Sequence, residues 1–592
     1  MQEKSCYDPL KNKLPKGAVT KGASVAFFVQ TGGEANDAYL MIKNDTEQDY
    51  FYKKMEKVED GFFVSHTFDS AGHFWYNFKI ITAQGNRFVS KTYDTRSYVS
   101  NEKGEDFLQL VTENDYKKSV LEGGMIYQIF VDRFAREGVV KERKPLFLRD
   151  DWGGDLHKNT TDPLAINLET FGGNFKGITS KLDYLSSLGV TAIYLSPISM
   201  ANSNHKYDTA DYLKLDDMFG SEQDLKNLVT SAKEKGISII IDGVYNHTGS
   251  DSIYFNKFKN FDSLGAFNSK ESKYFDWFDF ANYPNEYACW WGINTLPKIK
   301  TNCVAFQDFI AGKGGVIEKY MRLGVAGVRL DVVDEISDAF VSKIEKKVHE
   351  FGSDKIVMGE VWEDASTKIS YSTRRKYFVN NELGSTMNYP IKDSIFSFLR
   401  SKNAFNLTSS LRMIENAYPK SVRDSLMNFL STHDTSRAYE EMLSISGNNK
   451  ELADKLFKLA TALIFTLPGV PSIFYGDEYG MENNAGSSRG CFDWKKTETD
   501  KVKWIKKLAK LRKISAIQNG ELEILEDKNG KFVFERFDDA SHVVVLLNRS
   551  ESVLHIDIEG NFVSFLSGKK GEHFKLKENE VEILIEQKGE NK

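Results

Sequence analysis

Four acidic residues stand where short apolar runs end: Asp242, Asp331, Glu360 and Asp434. The run Gly327-Val328-Arg329-Leu330-Asp331 reads as a strand. Val328 and Leu330 alternate with Arg329 and Asp331, so both charges point to one face. A buried Arg–Asp pair is costly unless it is paired or used. Alone it reads as a structural ion pair or as part of a site. Asp242 closes Ile240-Ile241-Asp242 and leads into Asn246-His247, Glu360 follows Met358-Gly359, and Asp434 follows Leu430-Ser431-Thr432-His433. Taken singly, Asp242 or Asp434 suits a helix N-cap, Glu360 a surface acid, and His247 or His433 a satisfied rim histidine. Gathered on one rim, the set suits glycoside cleavage. One carboxylate attacks the anomeric carbon; a second acid protonates the leaving oxygen and then activates water. In a retaining reaction the pair sits about 5–5.5 Å apart. A neighbouring arginine would lower the nucleophile's pKa, and reduced exposure with nearby negative charge would raise that of the acid.

Something must bring these strand ends together. From about 121 to 516 short apolar strands alternate with amphipathic helices, the pattern of βα units. Strands are expected at Met125–Val131, Ala192–Ser196, Ile237–Asp242, Gly327–Asp331, Ile356–Val361, Leu426–Ser431 and Ser472–Tyr475, with an eighth near Tyr377–Asn380. Helices are expected at Lys176–Leu188, Glu222–Lys235, Val316–Leu323, Ala339–Phe351 and Lys450–Thr466. Eight such units give an α/β fold, a (β/α)8 TIM barrel whose catalytic groups sit at the C-terminal ends of the strands. A long aromatic-rich insertion, about 248–303, follows the third strand, and a loop of that length is usually functional.

The flanks read as antiparallel β-sandwich domains. Residues 1–118 hold Ser24–Val29, Gly61–Val64 and the aromatic Ala71–Phe78, with turns at Thr31-Gly32-Gly33 and Gln84-Gly85-Asn86. Their aromatics suit core packing or a carbohydrate-binding or dimer surface. Residues 119–516 form the barrel domain. Residues 517–592 form the C-terminal domain, with strands at Glu521–Leu525, Phe532–Arg536, His542–Leu547 and Val581–Ile585.

Composition narrows the partners. The 592 residues carry a formal net charge of -6 with both signs interspersed and no basic stripe, which argues against nucleic acid. No apolar run is long enough to span a membrane, and the first residues lack a signal peptide's apolar core. Cys6, Cys289, Cys303 and Cys491 are scattered without CxxC spacing, as in reduced cytoplasmic proteins rather than zinc sites.

Seven stretches from about Met125 to Trp494 resemble the α-amylase family, glycoside hydrolase family thirteen. They are Asp242-Gly-Val-Tyr-Asn-His247, Gly327-Val-Arg-Leu-Asp331, Gly359-Glu-Val-Trp362, Thr432-His-Asp-Thr435, Gly189–Pro197, His205–Tyr212 and Gly469–Glu478. The resemblance implies Asp331 as nucleophile, Glu360 as general acid/base and Asp434 as transition-state stabiliser. It implies that Arg329 orients Asp331, that His247 and His433 hydrogen-bond the sugar, that Tyr207 stacks under it, and that Asp242 and Asn246 support the rim. Trp290-Trp291-Gly292 through Leu296-Pro297-Lys298, Asp331-Val-Val-Asp-Glu335 and Met387-Asn-Tyr-Pro390 are similar to the neopullulanase and cyclomaltodextrinase subgroup. That places Trp291 and Glu335 among the substrate-binding residues. It implies α-glucan oligosaccharides or cyclodextrins as substrates, and a homodimer in which the N-terminal domain packs over a partner's active site.

Three departures qualify the resemblance. Asp334 stands where the subgroup has Asn. The loop Asn484–Arg489 lacks the family's Asp-Pro before its arginine, which puts donor-end contacts and pullulan cleavage in question while keeping Arg489 as a sugar ligand. After the first strand, Phe134–Val140 has no run of calcium ligands, and only Gly154-Asp155 matches the second half of the family's calcium loop. The expectation is retaining hydrolysis of α-1,4 bonds in cyclodextrins, maltooligosaccharides and also pullulan or starch, with no cofactor and no calcium at that loop. The open alternatives are a 4-α-glucanotransferase and a non-catalytic α-glucan-binding relative.

Overall fold

The computed structural model describes residues 6–31, 35–156 and 163–587. Residues 1–5 and the expected Gly32-Gly33 turn lie outside them. Eight parallel strands form the central ring: β1 (Ile126–Ile129), β2 (Ala192–Leu195), β3 (Ser238–Gly243), β4 (Gly327–Leu330), β5 (Ile356–Gly359), β6 (Ser385–Thr386), β7 (Met427–Asn428) and β8 (Val470–Phe474). β1 to β6 pair in sequence order, β7 pairs with β8, and β1 pairs with β8. Between β6 and β7 the ring closes through one parallel bridge, Met387–Met427, and the Asn388 N–H donates to the Met427 carbonyl at 2.9 Å.

The eighth strand is therefore Ser385–Thr386, and the expectation near Tyr377–Asn380 is corrected. That stretch is a turn, in which the Asn380 N–H donates to the Lys376 carbonyl. Its apolar run reflects burial of Tyr377 and Phe378 under the barrel's outer layer, not pairing. The expected helix Lys176–Leu188 is broken at Lys181 into Phe175–Ser180 and Leu182–Leu188. Helices at Glu222–Glu234, Val316–Arg322, Asp338–His349 and Lys450–Thr466 stand as expected within two residues. Two more, Tyr389–Ser401 and Phe405–Ala417, follow β6.

Alternation along the strands sorts side chains into two cores. Ile193, Leu195, Ile239, Ile241, Val328 and Leu330 pack outward against the helices, while Ile126, Tyr194, Ile240, Ile356 and Met358 fill the inside of the ring. Arg329 shares the inward parity. In register it stands beside Asp242 on β3 and Met358 on β5, so the strand ends carry their charges over the inner apolar plug.

The N-terminal region forms two sheets, of four and seven strands, around a shared core including Tyr7, Phe27, Tyr76 and Phe78. The C-terminal region is one six-stranded antiparallel sheet. Its long strand Leu554–Ser564 breaks register between Asp557 and Phe562 and helps cover the sheet's second face. Arg536, fully buried, joins this sheet to the barrel by donating to the Thr466 and Gly520 carbonyls. Among the described residues no helix is long and apolar enough to cross a membrane.

Gly327 lets β4 and β5 approach closely. A Cβ there would stand 2.4 Å from both the Ile356 carbonyl oxygen and its Cγ2. Gly327→Ala should destabilise the protein by about 1–3 kcal/mol, read as a lower thermal midpoint. An unchanged midpoint would mean that the two strands can spread at no cost.

Candidate active site

Arg329 is the centre of the strand-end cluster and is fully buried. Its Nη1 donates to Asp242 Oδ1 (2.9 Å) and to Asp331 Oδ1 (2.8 Å), and its Nη2 forms an ion pair with Glu360 Oε2 (3.0 Å). A guanidinium presents donors in a planar fork, which suits several carboxylates at once. Register explains the first contact, because Asp242 and Arg329 are paired neighbours on parallel strands. Strand period explains the second, because Asp331 lies two residues beyond Arg329. Asp242 is saturated by Arg329 and by the hydroxyls of Tyr194 (2.6 Å) and Tyr207 (2.8 Å). It serves as an anchor for Arg329.

Glu360 is fixed on both oxygens. Oε2 accepts from the Val332 N–H (2.9 Å) and Oε1 from Trp362 Nε1 (3.1 Å). The Trp362 ring lies flat on Tyr389, with centroids 4.0 Å apart. Val332 takes φ +46°, and this bend turns its N–H toward Glu360 directly after Asp331.

Asp331 departs from the expectation that arginine would lower its pKa. Burial pushes its carboxyl well above the usual range; Arg329 pulls it down, but Glu360, Asp242 and Asp434 push it up again. One guanidinium shared among three acids cannot neutralise them all.

Asp434 behaves in the opposite way. Burial raises it, yet His433, Arg489 and Arg329 outweigh burial and hold it well below the usual carboxylate range. His433 Nε2 lies 2.8 Å from Asp434 Oδ2, and Arg489 Nη2 donates to Oδ1 at 3.1 Å. Arg489 therefore reaches the centre itself, and its Nε also donates to the His433 carbonyl (2.9 Å). Gln128, an inward residue of β1, donates to His433 Nδ1 (2.9 Å). That leaves Nε2 as the protonated nitrogen, facing both Asp434 and the Tyr207 hydroxyl, which is 2.6 Å away. Sequence reasoning missed Gln128, whose only signal is a polar residue inside Ile126-Tyr127-Gln128-Ile129. The Tyr207 ring lies parallel to His433, 6° between planes and 5.2 Å apart.

The arc over β3 to β5 carries the remaining residues. His247 stacks on Trp290 (5.3 Å), and its buried Nε2 has no hydrogen-bond partner. Trp291 Nε1 donates to Glu335 Oε1 (3.1 Å), and Glu335 Oε2 accepts from Lys298 Nζ (2.7 Å). Asp334 binds the Tyr377 hydroxyl (2.8 Å) and Lys368 (3.0 Å), so the residue that departs from the subgroup's Asn is taken up by the loop after β5. Lys298, the end of the subgroup-like Trp290–Lys298 stretch, joins this arc, and so does Tyr371, whose residue type alone marks no site.

Among the described residues of the loops after β1, Asp132, Asp151 and Glu169 are committed to arginine or backbone partners. Asp132 accepts from Arg133 and from the Phe171 and Gly172 N–H groups, and Arg149 is paired with both Glu169 and Asp151. Arginines thus supply the positive charge there. Among the described residues no group of three or more His, Cys, Asp or Glu side chains is placed to hold a metal ion.

Burial lowers His247 to about 4, with smaller opposing contributions from a backbone hydrogen bond and Glu335. Folded His247 is thus neutral where the unfolded chain, with a pKa of about 6.5, binds a proton. Its penalty is absent above pH about 6.5 and grows as pH falls toward about 4. His247→Gln should flatten the loss of stability across that window, as measured by denaturant midpoints at several pH values. A parallel shift at all pH values would contradict a buried neutral His247.

The model of the alpha amylase catalytic domain matches residues 128–516. The amylopullulanase of Thermoanaerobacterium saccharolyticum is 30% identical over 644 residues, covering 93% of this chain and 49% of that protein. The chain thus spans about half the length of that relative, and 34% and 42% of two further amylopullulanases. The cyclomaltodextrinase of Geobacillus thermopakistaniensis is 32% identical, covering 75% of this chain and 72% of that protein. A solved cyclomaltodextrinase structure superposes with a TM-score of 0.71 at 23% identity over 98% of this chain and all of its own. A barrel with three acids around one buried arginine, a fourth acid across its mouth and a catalytic-domain match over most of its length identify the chain as a member of the alpha-amylase family.

Proposed function

We propose that this chain is a retaining α-glucan hydrolase that cleaves α-1,4-glucosidic bonds in cyclodextrins and maltooligosaccharides, and also in pullulan or starch. The observation that carries the reading is the sharing of Arg329 between Asp331 and Glu360, with Asp434 held by His433 and Arg489 on the far side of the mouth. Asp331 Oδ attacks the anomeric carbon while Glu360 gives its proton to the leaving glycosidic oxygen, forming a covalent glycosyl ester. Glu360, now ionised, takes a proton from water, and the oxygen of that water displaces Asp331 and regenerates both groups. Asp434, ionised throughout, accepts hydrogen bonds from sugar hydroxyls. His247, buried and neutral, is assigned to the same ring by the family resemblance. The curated relatives' names, amylopullulanase, cyclomaltodextrinase and neopullulanase, support this substrate class. No metal enters the reaction in this proposal, and EDTA should leave the thermal midpoint unchanged. A chelator-induced drop would overturn it. A homodimer through the N-terminal domain and a cytoplasmic location, which suits the free thiols of Cys289, Cys303 and Cys491, belong to the same proposal.

Asp331→Asn and Glu360→Gln should each lower release of reducing sugar by at least ~10³-fold with the circular dichroism spectrum retained. Chromatography of products from β-cyclodextrin, maltotriose, pullulan and starch tests the substrate class. Oligomers longer than maltotriose would assign the chain as a 4-α-glucanotransferase instead, and no product from any substrate would leave an α-glucan-binding relative. Glu360 raises Asp331, so Glu360→Gln should lower the nucleophile's pKa. With α-maltosyl fluoride, which needs no acid assistance, the acid limb of its pH–rate profile should then move to lower pH. An unmoved limb would contradict the electrostatic link between the two acids.

A further inference from the structure

Two aromatic rings stand bare on the arc over β3 to β5. Trp291 is 80% exposed and Tyr371, in the loop after β5, is 71% exposed. Both take left-handed backbone angles, φ 50° and 49°. A bulky residue there is strained, and the strain persists only where the surroundings impose it. The two rings bracket one ion pair. Trp291 Nε1 donates to Glu335 Oε1, while Lys298 Nζ, on the other oxygen of Glu335, lies 3.4 Å from the Tyr371 hydroxyl and 4.9 Å from its ring centroid. Lys298 is bridge-paired to His247, and Glu335 follows Asp331 through a single turn of 3-10 helix. The rings therefore flank the catalytic cleft.

The hairpin that carries Tyr371 ignores turn preference. Ile369 pairs with Arg374 and Ser370 with Thr373, leaving Tyr371-Ser372 as a two-residue turn with φ 49° and 62°. Positive φ at both positions favours Asn-Gly or Asp-Gly, so Tyr-Ser costs stability at the tip. The N-terminal sheets supply the restraint. Asp45 Oδ2 pairs with Arg374 Nε (2.9 Å), the guanidinium lies 4.9 Å from the Trp75 ring, and Trp75 Nε1 donates to Asp45. His73 Nε2 donates to the Ser366 carbonyl (2.8 Å), and Arg374 Nη1 to the Thr367 carbonyl (2.8 Å). The N-terminal region thus grips the loop at its start and at the hairpin's far end.

We propose that Tyr371 is a specificity-determining residue of this site. Its ring, with Trp291, stacks on glucose units on the leaving-group side of a bound α-glucan, and the chain's own N-terminal domain sets its position. This rests on the glycoside hydrolase reading above. An aromatic ring offers a flat apolar face to the C–H face of a pyranose, and Lys298 and Glu335 offer a donor and an acceptor to its hydroxyls. The leaving-group side follows from the strands, because Glu360, which protonates the leaving oxygen, ends β5, and the hairpin of Tyr371 follows it.

The test is binding of maltohexaose and maltotriose by calorimetry to Asp331→Asn protein, alone and combined with Tyr371→Ala, Tyr371→Phe or Arg374→Ala. Tyr371→Ala should weaken maltohexaose roughly tenfold and maltotriose less, whereas Tyr371→Phe should keep affinity because it keeps the ring. Arg374→Ala should fall between, since the hairpin loses its hold but not its ring. In the active enzyme, Tyr371→Ala should lower the ratio of kcat/KM for maltohexaose to that for maltotriose. Equal maltohexaose affinity with and without Tyr371, or no maltohexaose binding when Tyr371 is present, overturns the proposal. An active-site-intact enzyme that turns over no α-glucan would sink the hydrolase reading, while the binding series still decides the role of Tyr371.

Discussion

The site depends on one fully buried guanidinium. Removing Arg329 from water is costly, and so is removing Asp242, Asp331 and Glu360. Each charge is tolerable only because the others are there. Three acids around one cation leave an excess of negative charge, and Asp331 feels it as an upward push on its carboxyl. Asp242 spends its remaining capacity on Tyr194 and Tyr207, so it fixes the arginine while Asp331 and Glu360 remain available for chemistry. The fourth acid is treated separately. Asp434 has its own cation in Arg489 and its own histidine, and stays ionised without drawing on Arg329 as a hydrogen-bond partner.

This centre was legible because strand period and strand ends are readable features. The alternation of Val328, Arg329, Leu330 and Asp331 puts the two charges on one face and the two apolar residues on the other, and Val328 and Leu330 pack in the outer core. What escaped reading lacked period or a distinctive residue type. A two-residue strand, Ser385–Thr386, has no alternation to detect, and the apolar Tyr377–Asn380 nearby offered a better false signal. Gln128 looks like any polar residue in a short strand until His433 is seen beside it. The turn at Tyr371-Ser372 carries none of the residues that announce a turn. The electrostatic expectation for Asp331 failed for a related reason. Sequence counts one arginine beside one acid, whereas the fold gives that arginine three.

The regions outside the barrel differ in how they engage it. The C-terminal sheet packs on the helix Lys450–Thr466 and is fixed by Arg536 to carbonyls, far from the strand ends. The N-terminal sheets touch the loop after β5, whose strand ends in Glu360. The two β-rich flanks thus have different reach: one supports the barrel, the other borders its mouth.

The seam between β6 and β7 gives the mouth an unexpected mechanics. Backbone hydrogen bonding is thinnest there, with a single bridge joining Met387 to Met427, and Asp434 rides on the β7 side while Glu360 rides on the other. On the opposite side of the ring the Tyr207 hydroxyl reaches across the mouth, touching Asp242 in the arginine cluster and His433 beside Asp434. One phenol therefore works as a clasp across the mouth, coupling the arginine cluster to the histidine that holds Asp434.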